Sequence, residues 1–285
     1  KGGVTVAVCI LVDSTADIPL DRARETGVAV VPLTVHFGDE TFRDGVDLDG
    51  PAFYRRLTSS PVVPTTSTPP PGLFEQHFRQ LVTDGATGIL AMHISSSLSA
   101  TFSVSTKAAE AVTADTGVPI EVLDSRTVSA GFGMPAEILA REARAGASLA
   151  QLKAHAESLL ARVRLFAVLD TLEYLQRGGR IGRAQAWLGT FLSIKPILEV
   201  RDGQLLPLER VRTRSKAQER IGQLVSALGP LEALSLVQSD DSVGNQLETV
   251  AHTVWSGPIE RFPLGPVVGT HAGPGAGALV ALTQG

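Results

Sequence analysis

Hydroxyl side chains gather at a few places in this chain, and those places follow apolar runs. Asp13-Ser14-Thr15 follows Val6–Val12. Ser95-Ser96-Ser97-Leu98-Ser99-Ala100-Thr101 follows an apolar segment ending at Ile94, and Asp124-Ser125 follows Ile120–Leu123. A further set, Thr65-Thr66-Ser67-Thr68, lies among the prolines 61, 64, 69, 70 and 71. Hydroxyls and free N–H groups at a helix start donate to an anion, and the helix dipole favours its charge. Singly, each cluster is also what a cap or a turn requires. A nucleophilic serine would need a base within hydrogen-bond reach. His93 directly precedes the long serine cluster, and His271 lies in Gly269-Thr270-His271-Ala272-Gly273-Pro274-Gly275. No acid is evident to orient either base, so the set suits carboxylate or phosphate binding better than hydrolysis. Two arginine contexts extend the list: the Gly178-Gly179-Arg180 turn, and Arg210-Val211-Arg212-Thr213-Arg214-Ser215-Lys216 ahead of a helix. Guanidinium groups match carboxylate and phosphate geometry.

Other chemistries find no carrier. There is no G-x-S-x-G elbow, Walker A loop or H-E-x-x-H. Gly131-Phe132-Gly133-Met134-Pro135-Ala136 matches G-x-G-x-x-A, but Pro135 stands where a nucleotide-binding helix should begin, so no dinucleotide site is expected. The single cysteine, Cys9, excludes an intramolecular disulfide framework and a multi-cysteine metal site, and its apolar neighbours predict a buried thiol.

The elements that must position these groups alternate in type. Strands are expected at Val4–Val12, Val28–Val35, Gly88–Ile94 and Pro119–Leu123. Helices are expected near 19–27, 98–114 and 128–145, with a capping box at Ser148/Gln151 opening another. This alternation predicts an α/β fold whose N-terminal part is a mostly parallel sheet flanked by helices. Ligands of such sheets bind beyond the carboxyl ends of the strands, where the hydroxyls fall. The second half predicts an α+β unit. It has a strand at 166–169, helices at 172–176 and 184–191, and a hairpin of 197–201 and 204–208 around Asp202-Gly203. A helix at 215–228, a strand at 234–238, a helix at 243–254 and strands at 258–262 and 277–282 follow. Two domains are expected, 1–160 and 161–285, with 61–71 an ordered excursion from the first.

The 285 residues include 44% hydrophobic and 19% charged ones, ample for a packed core. No apolar run approaches the ~20 residues of a spanning helix, so stable membrane insertion is not expected. No secretory pattern opens the sequence, so a cytoplasmic location is expected. The net charge of −4 conceals an asymmetry: residues 162–220 hold twelve Lys and Arg against six Asp and Glu. That segment contains Arg180 and Arg212; such asymmetry can mark a face for an anionic partner, and it is also what solvated helices of mixed sign give. Nucleic acid is not expected, for want of a global basic excess with interleaved aromatics.

The order of these motifs resembles the DegV family. The resemblance is carried by Val12-Asp13-Ser14-Thr15-Ala16-Asp17, Thr66-Ser67-Thr68-Pro69, His93-Ile94-Ser95-Ser96-Ser97-Leu98-Ser99-Ala100-Thr101, Asp124-Ser125, Gly178-Gly179-Arg180, Lys195-Pro196 and His271-Ala272-Gly273-Pro274-Gly275. It implies a non-enzymatic, two-domain subunit that holds one long-chain fatty acid, such as palmitate or oleate, in an apolar tunnel. The carboxylate would sit at the domain interface, and the subunit would present it to a separate fatty acid kinase that makes acyl phosphate. No cofactor or metal is implied. Carried over by motif, Thr66 (with Ser67 beside it) and Ser99 are the carboxylate donors, and His271 completes the head-group network. Arg180 resembles the arginine of the G-G-R turn, and Arg212 one linked to kinase engagement. The chain departs from the family pattern at Thr68 and Pro70, where Gln and Ser are usual, at Ala100, usually Gly, and at Ala272, often Thr. These departures bear on loop shape and chain-length preference more than on the head group. Burying about fourteen methylenes of a sixteen-carbon tail yields roughly 11 kcal/mol gross at ~0.8 kcal/mol each, so the tail would supply most of the affinity. A serine/histidine acyl-transfer enzyme using Ser99 and His271, or a phosphate-ligand module at the serine-rich helix start, are the alternative readings.

Overall fold

A computed structural model describes residues 8–187 and 194–285. The expected strand residues 4–7 and helix residues 188–191 lie outside the described residues. In chain order the first elements are β1 (Cys9–Asp13), a 3-10 turn (Ser14–Ala16), α1 (Leu20–Thr26), β2 (Val28–Val31), β3 (Thr34–Phe37), β4 (Glu40–Arg43), α2 (Gly50–Ser59) and β5 (Thr65–Ser67). Then come α3 (Pro71–Thr83), β6 (Ile89–His93), α4 (Thr101–Thr116), β7 (Ile120–Asp124), α5 (Ala130–Arg144) and α6 (Leu149–Arg162). The rest comprises β8 (Val163–Val168), α7 (Glu173–Arg177), a 3-10 turn (Gly182–Trp187), β9 (Lys195–Arg201), β10 (Gln204–Val211) and α8 (Arg214–Ser226). It closes with β11 (Leu231–Gln238), α9 (Asp241–Ala251), β12 (Ile259–Pro263), α10 (Pro266–Ala272) and β13 (Gly277–Thr283).

Three sheets organise these elements. A parallel sheet has the order β2-β1-β6-β7, with helices on both faces. A small antiparallel sheet, β4-β3-β5, stands beside it. A mixed sheet has the order β10-β9-β8-β13-β11-β12. Every strand of the mixed sheet follows residue 162, and every strand of the other two precedes residue 125.

The mixed sheet buries both faces. Phe166, Val168, Ile197, Leu234, Leu236 and Leu279 face α8 and α9. Their alternates Leu165, Leu198, Val237, Ala278 and Val280 face the first half of the chain and join its largest core. The halves are also tied by Arg22 of α1, whose side chain pairs with Glu137 at 2.7 Å, stacks over the Phe262 ring at 4.2 Å and donates to the Arg261 carbonyl.

Several sequence expectations are corrected. The strand expected over 28–35 is two strands, because Pro32 cannot continue the ladder and the Leu33 N–H turns to Ser14 Oγ at 3.1 Å. Helices α2 and α3 were not anticipated. Asp49 caps the first by accepting the Ala52 N–H at 2.7 Å, Pro71 opens the second, and each buries a Phe with its partner one turn on: Phe53 with Leu57, Phe74 with Phe78. The helix expected from 98 starts at Thr101. The G-x-G-x-x-A segment is the buried start of α5. There a Cβ on Gly131 would meet Thr127 Oγ1 at 2.2 Å and one on Gly133 the Ala16 carbonyl at 2.4 Å, so the glycines serve close packing. Cys9 is half-buried rather than buried, and its partial desolvation, followed by Asp84, raises the thiol pKa. The expected Asp202-Gly203 turn is present, with φ of 51° and 78° at the two residues.

Candidate functional site

The predicted site begins where β1 and β6 end. Asp13, at the close of β1, accepts the Thr15 N–H at 3.0 Å and the Ile94 N–H at 3.0 Å, which fixes the two chain exits side by side. His93 ends β6 and is fully buried. Its Nδ1 meets Asp13 Oδ2 at 3.1 Å and its Nε2 meets Ser105 Oγ at 2.7 Å. Aspartate, histidine and serine therefore stand in relay order, but with no exposure to solvent or to a cavity. This histidine is committed to the core, and the serine that follows, not His93, leads to the site.

The loop after β6 carries Ser99, whose Oγ lies 2.8 Å from Thr101 Oγ1 and 3.4 Å from Thr68 Oγ1. Thr68 follows β5, and β5 pairs with β3 so that Thr66 lies opposite Val35. Thr66 faces inward and its Oγ1 lies 2.9 Å from His271 Nε2. His271 sits in the last turn of α10, so the glycine-bearing segment around it is in part helical. Pro266 in its first turn starts it and Gly273, at a φ of 77°, stops it. The N-terminus of α10 is held from the other half of the chain. Asp17 Oδ1 accepts the Gly265 N–H at 2.9 Å, and Asp44 accepts the Val267 N–H. Ser129 donates to Asp17, and Ser14 donates to Asp44 at 2.8 Å. Burial raises both carboxyl pKa values, that of Asp44 to about 7.

His271 Nδ1 is buried without a hydrogen-bond partner. It packs against Gly178, where a Cβ would fall 2.0 Å from Nδ1. Burial, and after it the positive charge of Arg180, lowers the imidazole pKa to about 4, so the ring is neutral at pH 7. Arg180 itself is held by two carbonyls, donating from Nε to Leu98 at 3.1 Å and from Nη1 to Gly178 at 2.8 Å.

Thr66, Ser99, His271 and Arg180 line one pocket, which encloses about 1040 Å³ out to its open mouth. Away from these four the wall is mostly aliphatic. Leu198, Ala167, Ala278 and Val237 are cross-strand neighbours on β9, β8, β13 and β11, and all four line the pocket. Leu33, Leu264, Val267 and Val268 line it from outside the mixed sheet. None of these stands out in the sequence, because only strand register and the folding of α10 bring them together.

Two expected site residues stand apart. Ser67 borders the pocket, but its hydroxyl lies on the exposed side of the small sheet, 2.5 Å from Thr34 Oγ1 and 2.9 Å from His36 Nε2. Strand alternation accounts for this: with Thr66 inward, Ser67 must point outward. Arg212 is exposed just before α8 and does not line the pocket. Among the described residues no group of His, Cys, Asp and Glu could hold a metal ion, and no helix is long and apolar enough to cross a membrane.

The DegV family model, that of a family described as uncharacterised, matches residues 7–284. The chain belongs to the DegV family. A DegV domain-containing protein of Streptomyces coelicolor is 33% identical over 277 residues, covering 94% of this chain and 95% of that protein. One of Halalkalibacterium halodurans is 34% identical over 282 residues, with 94% and 96% covered. Among solved structures, a DegV family protein from Thermus thermophilus, described for its fatty acid binding, superposes with a TM-score of 0.87 at 30% identity, over 98% of this chain and 100% of that one. DegV from Bacillus subtilis, a fatty acid binding protein, superposes with a TM-score of 0.84 at 30% identity and the same coverage.

Proposed function

We propose that this DegV family chain binds one long-chain fatty acid, with the carboxylate at Thr66, Ser99 and His271 and the tail along the aliphatic wall. The observation that carries the reading is the division of the pocket itself: hydroxyls, a neutral imidazole and a guanidinium at one place, and aliphatic side chains over the rest. A carboxylate accepts only, so it needs donors, and these groups supply them. His271 Nε2 and Thr66 Oγ1, 2.9 Å apart, are the pair a carboxylate would meet, while Nδ1 packs against Gly178. The two structures at 30% identity, from T. thermophilus and B. subtilis, are of fatty-acid-binding proteins. Palmitate and oleate are the ligands of first choice.

The protein acts as a carrier rather than an enzyme. Ser99 Oγ is bonded to Thr101 and Thr68 while His271 Nε2 is bonded to Thr66, so the site pairs no serine with a base. The aliphatic wall argues equally against a phosphate ligand. Presentation to a separate kinase in the cytoplasm follows from the family resemblance and from the basic segment 162–220. Ser67 contributes by placing Thr66, and Arg212 serves the partner surface. The two domains would divide near residue 160, between α6 and β8, with the carboxylate at their junction.

The test is extraction of the purified protein with organic solvent followed by mass spectrometry, together with uptake of added palmitate or oleate. A bound fatty acid is expected. Absence of lipid and of uptake overturns the reading. Charge reversal at Arg212 is expected to lower acyl-phosphate formation with the kinase while lipid binding persists, and an effect on lipid binding alone would contradict the partner assignment.

A further inference from the structure

One buried hydroxyl beside the pocket belongs to neither its head-group set nor its wall. Ser95 is fully buried, and five hydrogen bonds meet at it. Its N–H donates to the Thr127 carbonyl at 2.9 Å. Its carbonyl accepts the N–H groups of Leu98 at 2.9 Å and Ser99 at 3.1 Å, which fixes the turn that aims Ser99. Its Oγ accepts the Ser97 N–H at 3.2 Å and donates to the Gly203 carbonyl at 2.7 Å.

Gly203 is the tip of the β9–β10 hairpin, at the edge of the mixed sheet. It also donates its N–H to the Arg126 carbonyl at 3.0 Å. The tip fits with no spare room: a Cβ on Gly203 would lie 2.7 Å from Ser95 Oγ, and its φ of 78° suits glycine. Two residues further along β10, Leu205 lines the pocket. Thus one hydroxyl joins the turn that presents Ser99 to the hairpin that supplies part of the aliphatic wall.

We propose that Ser95 is a positioning residue that couples the grip on the carboxylate to the closure of the wall over the tail. It does so because its hydroxyl bridges the Ser99 turn and the β9–β10 hairpin tip. A docked hairpin holds Ser95, and Ser95 holds the turn; loosening either end loosens both. The inference rests on the fatty-acid reading above and deepens it.

The test compares oleate with oleyl alcohol, which keeps the tail and lacks the carboxylate. In the wild type the acid binds more tightly than the alcohol, and that ratio measures the grip. The dissociation rate of the alcohol measures the cover over the tail. Ser95→Ala is expected to lower the ratio about tenfold and to speed alcohol release about tenfold. Gly203→Ala, at the hairpin tip and outside the pocket lining, is expected to move both readouts in the same direction. It decides the matter if Ser95→Ala does not fold. A loss of stability alone would lower the melting temperature and move neither readout. A ratio unchanged in either folded variant, or an alcohol release rate unchanged in either, overturns the coupling while the fatty-acid reading stands. A wild type that takes up neither ligand, or that holds the alcohol as tightly as the acid, overturns that reading and the inference with it.

Discussion

Two of the histidines that stand among hydroxyls, His93 and His271, have surroundings that assign them opposite tasks. His93 has both ring nitrogens bonded, one to Asp13 and one to Ser105, and lies edge-on to the Phe74 ring with no exposed surface. His271 has one nitrogen on Thr66 and the other packed against Gly178 without a partner, no acid bonded to either, and a place in the pocket lining. The first is a saturated structural tie between β1, β6 and α4. The second lines a pocket and shares its one hydrogen bond with Thr66. A hydroxyl–imidazole–carboxylate relay is thus no guide to function here; the histidine that lines the pocket is the one placed to meet a ligand.

The largest effect that would sharpen this contrast is on folding. His93→Ala should destabilise the protein by about 3 kcal/mol, since it leaves a cavity and strips partners from the buried Asp13 and Ser105. Urea denaturation reads this, and a change below about 1 kcal/mol would break the contrast. His271→Ala should act the other way round. Oleate affinity should fall about tenfold, near 1.4 kcal/mol, while the urea midpoint moves little. Loss of stability with unchanged affinity would reverse the roles assigned to the two histidines.

A smaller effect concerns pH. The folded His271 pKa of about 4 lies below the ordinary ~6.5, so between the two the unfolded chain binds more protons. Its contribution to stability is therefore present above about pH 6.5 and is lost as pH falls through 4. Because the Arg180 charge is the second cause of the lowered value, Arg180→Gln should raise the imidazole pKa, measured by NMR titration of the ring. A value unchanged in that variant would leave burial as the whole cause. The smallest effect is expected at Ser67. Its hydroxyl lies on the outer face, so Ser67→Ala should change oleate affinity less than threefold, measured by calorimetry. A loss as large as that of Thr66→Ala would place its side chain in the site after all.

Much of this was legible in the sequence, for identifiable reasons. The hydroxyl clusters marked strand exits because apolar runs end where they begin, so Asp13, Ser95–Ser99 and Asp124 were read onto one edge of the parallel sheet. Asp202-Gly203 announced its hairpin because that turn needs positive φ at both residues. Ser148 and Gln151 announced α6 through a cap that is entirely local. What was missed depends on distant partners. Helix α10 has seven residues, with three glycines close by, and its start is held by Asp17 and Asp44, more than two hundred positions away. The opposed faces of Thr66 and Ser67 follow from the pairing of β5 with β3, and a three-residue strand among prolines gives little sign of that. The aliphatic wall follows from strand register, and periodicity within one strand cannot report it.

The anchoring of α10 has a consequence for how the protein could be divided. The helix bearing His271 is too short to persist by its own propensity, and the carboxylates that hold its first turn come from the opposite end of the chain. A fragment beginning at residue 161 would keep every strand of the mixed sheet and still lack the means to hold His271 in place. The candidate site is therefore not modular: the C-terminal half supplies the imidazole, and the N-terminal half supplies its address.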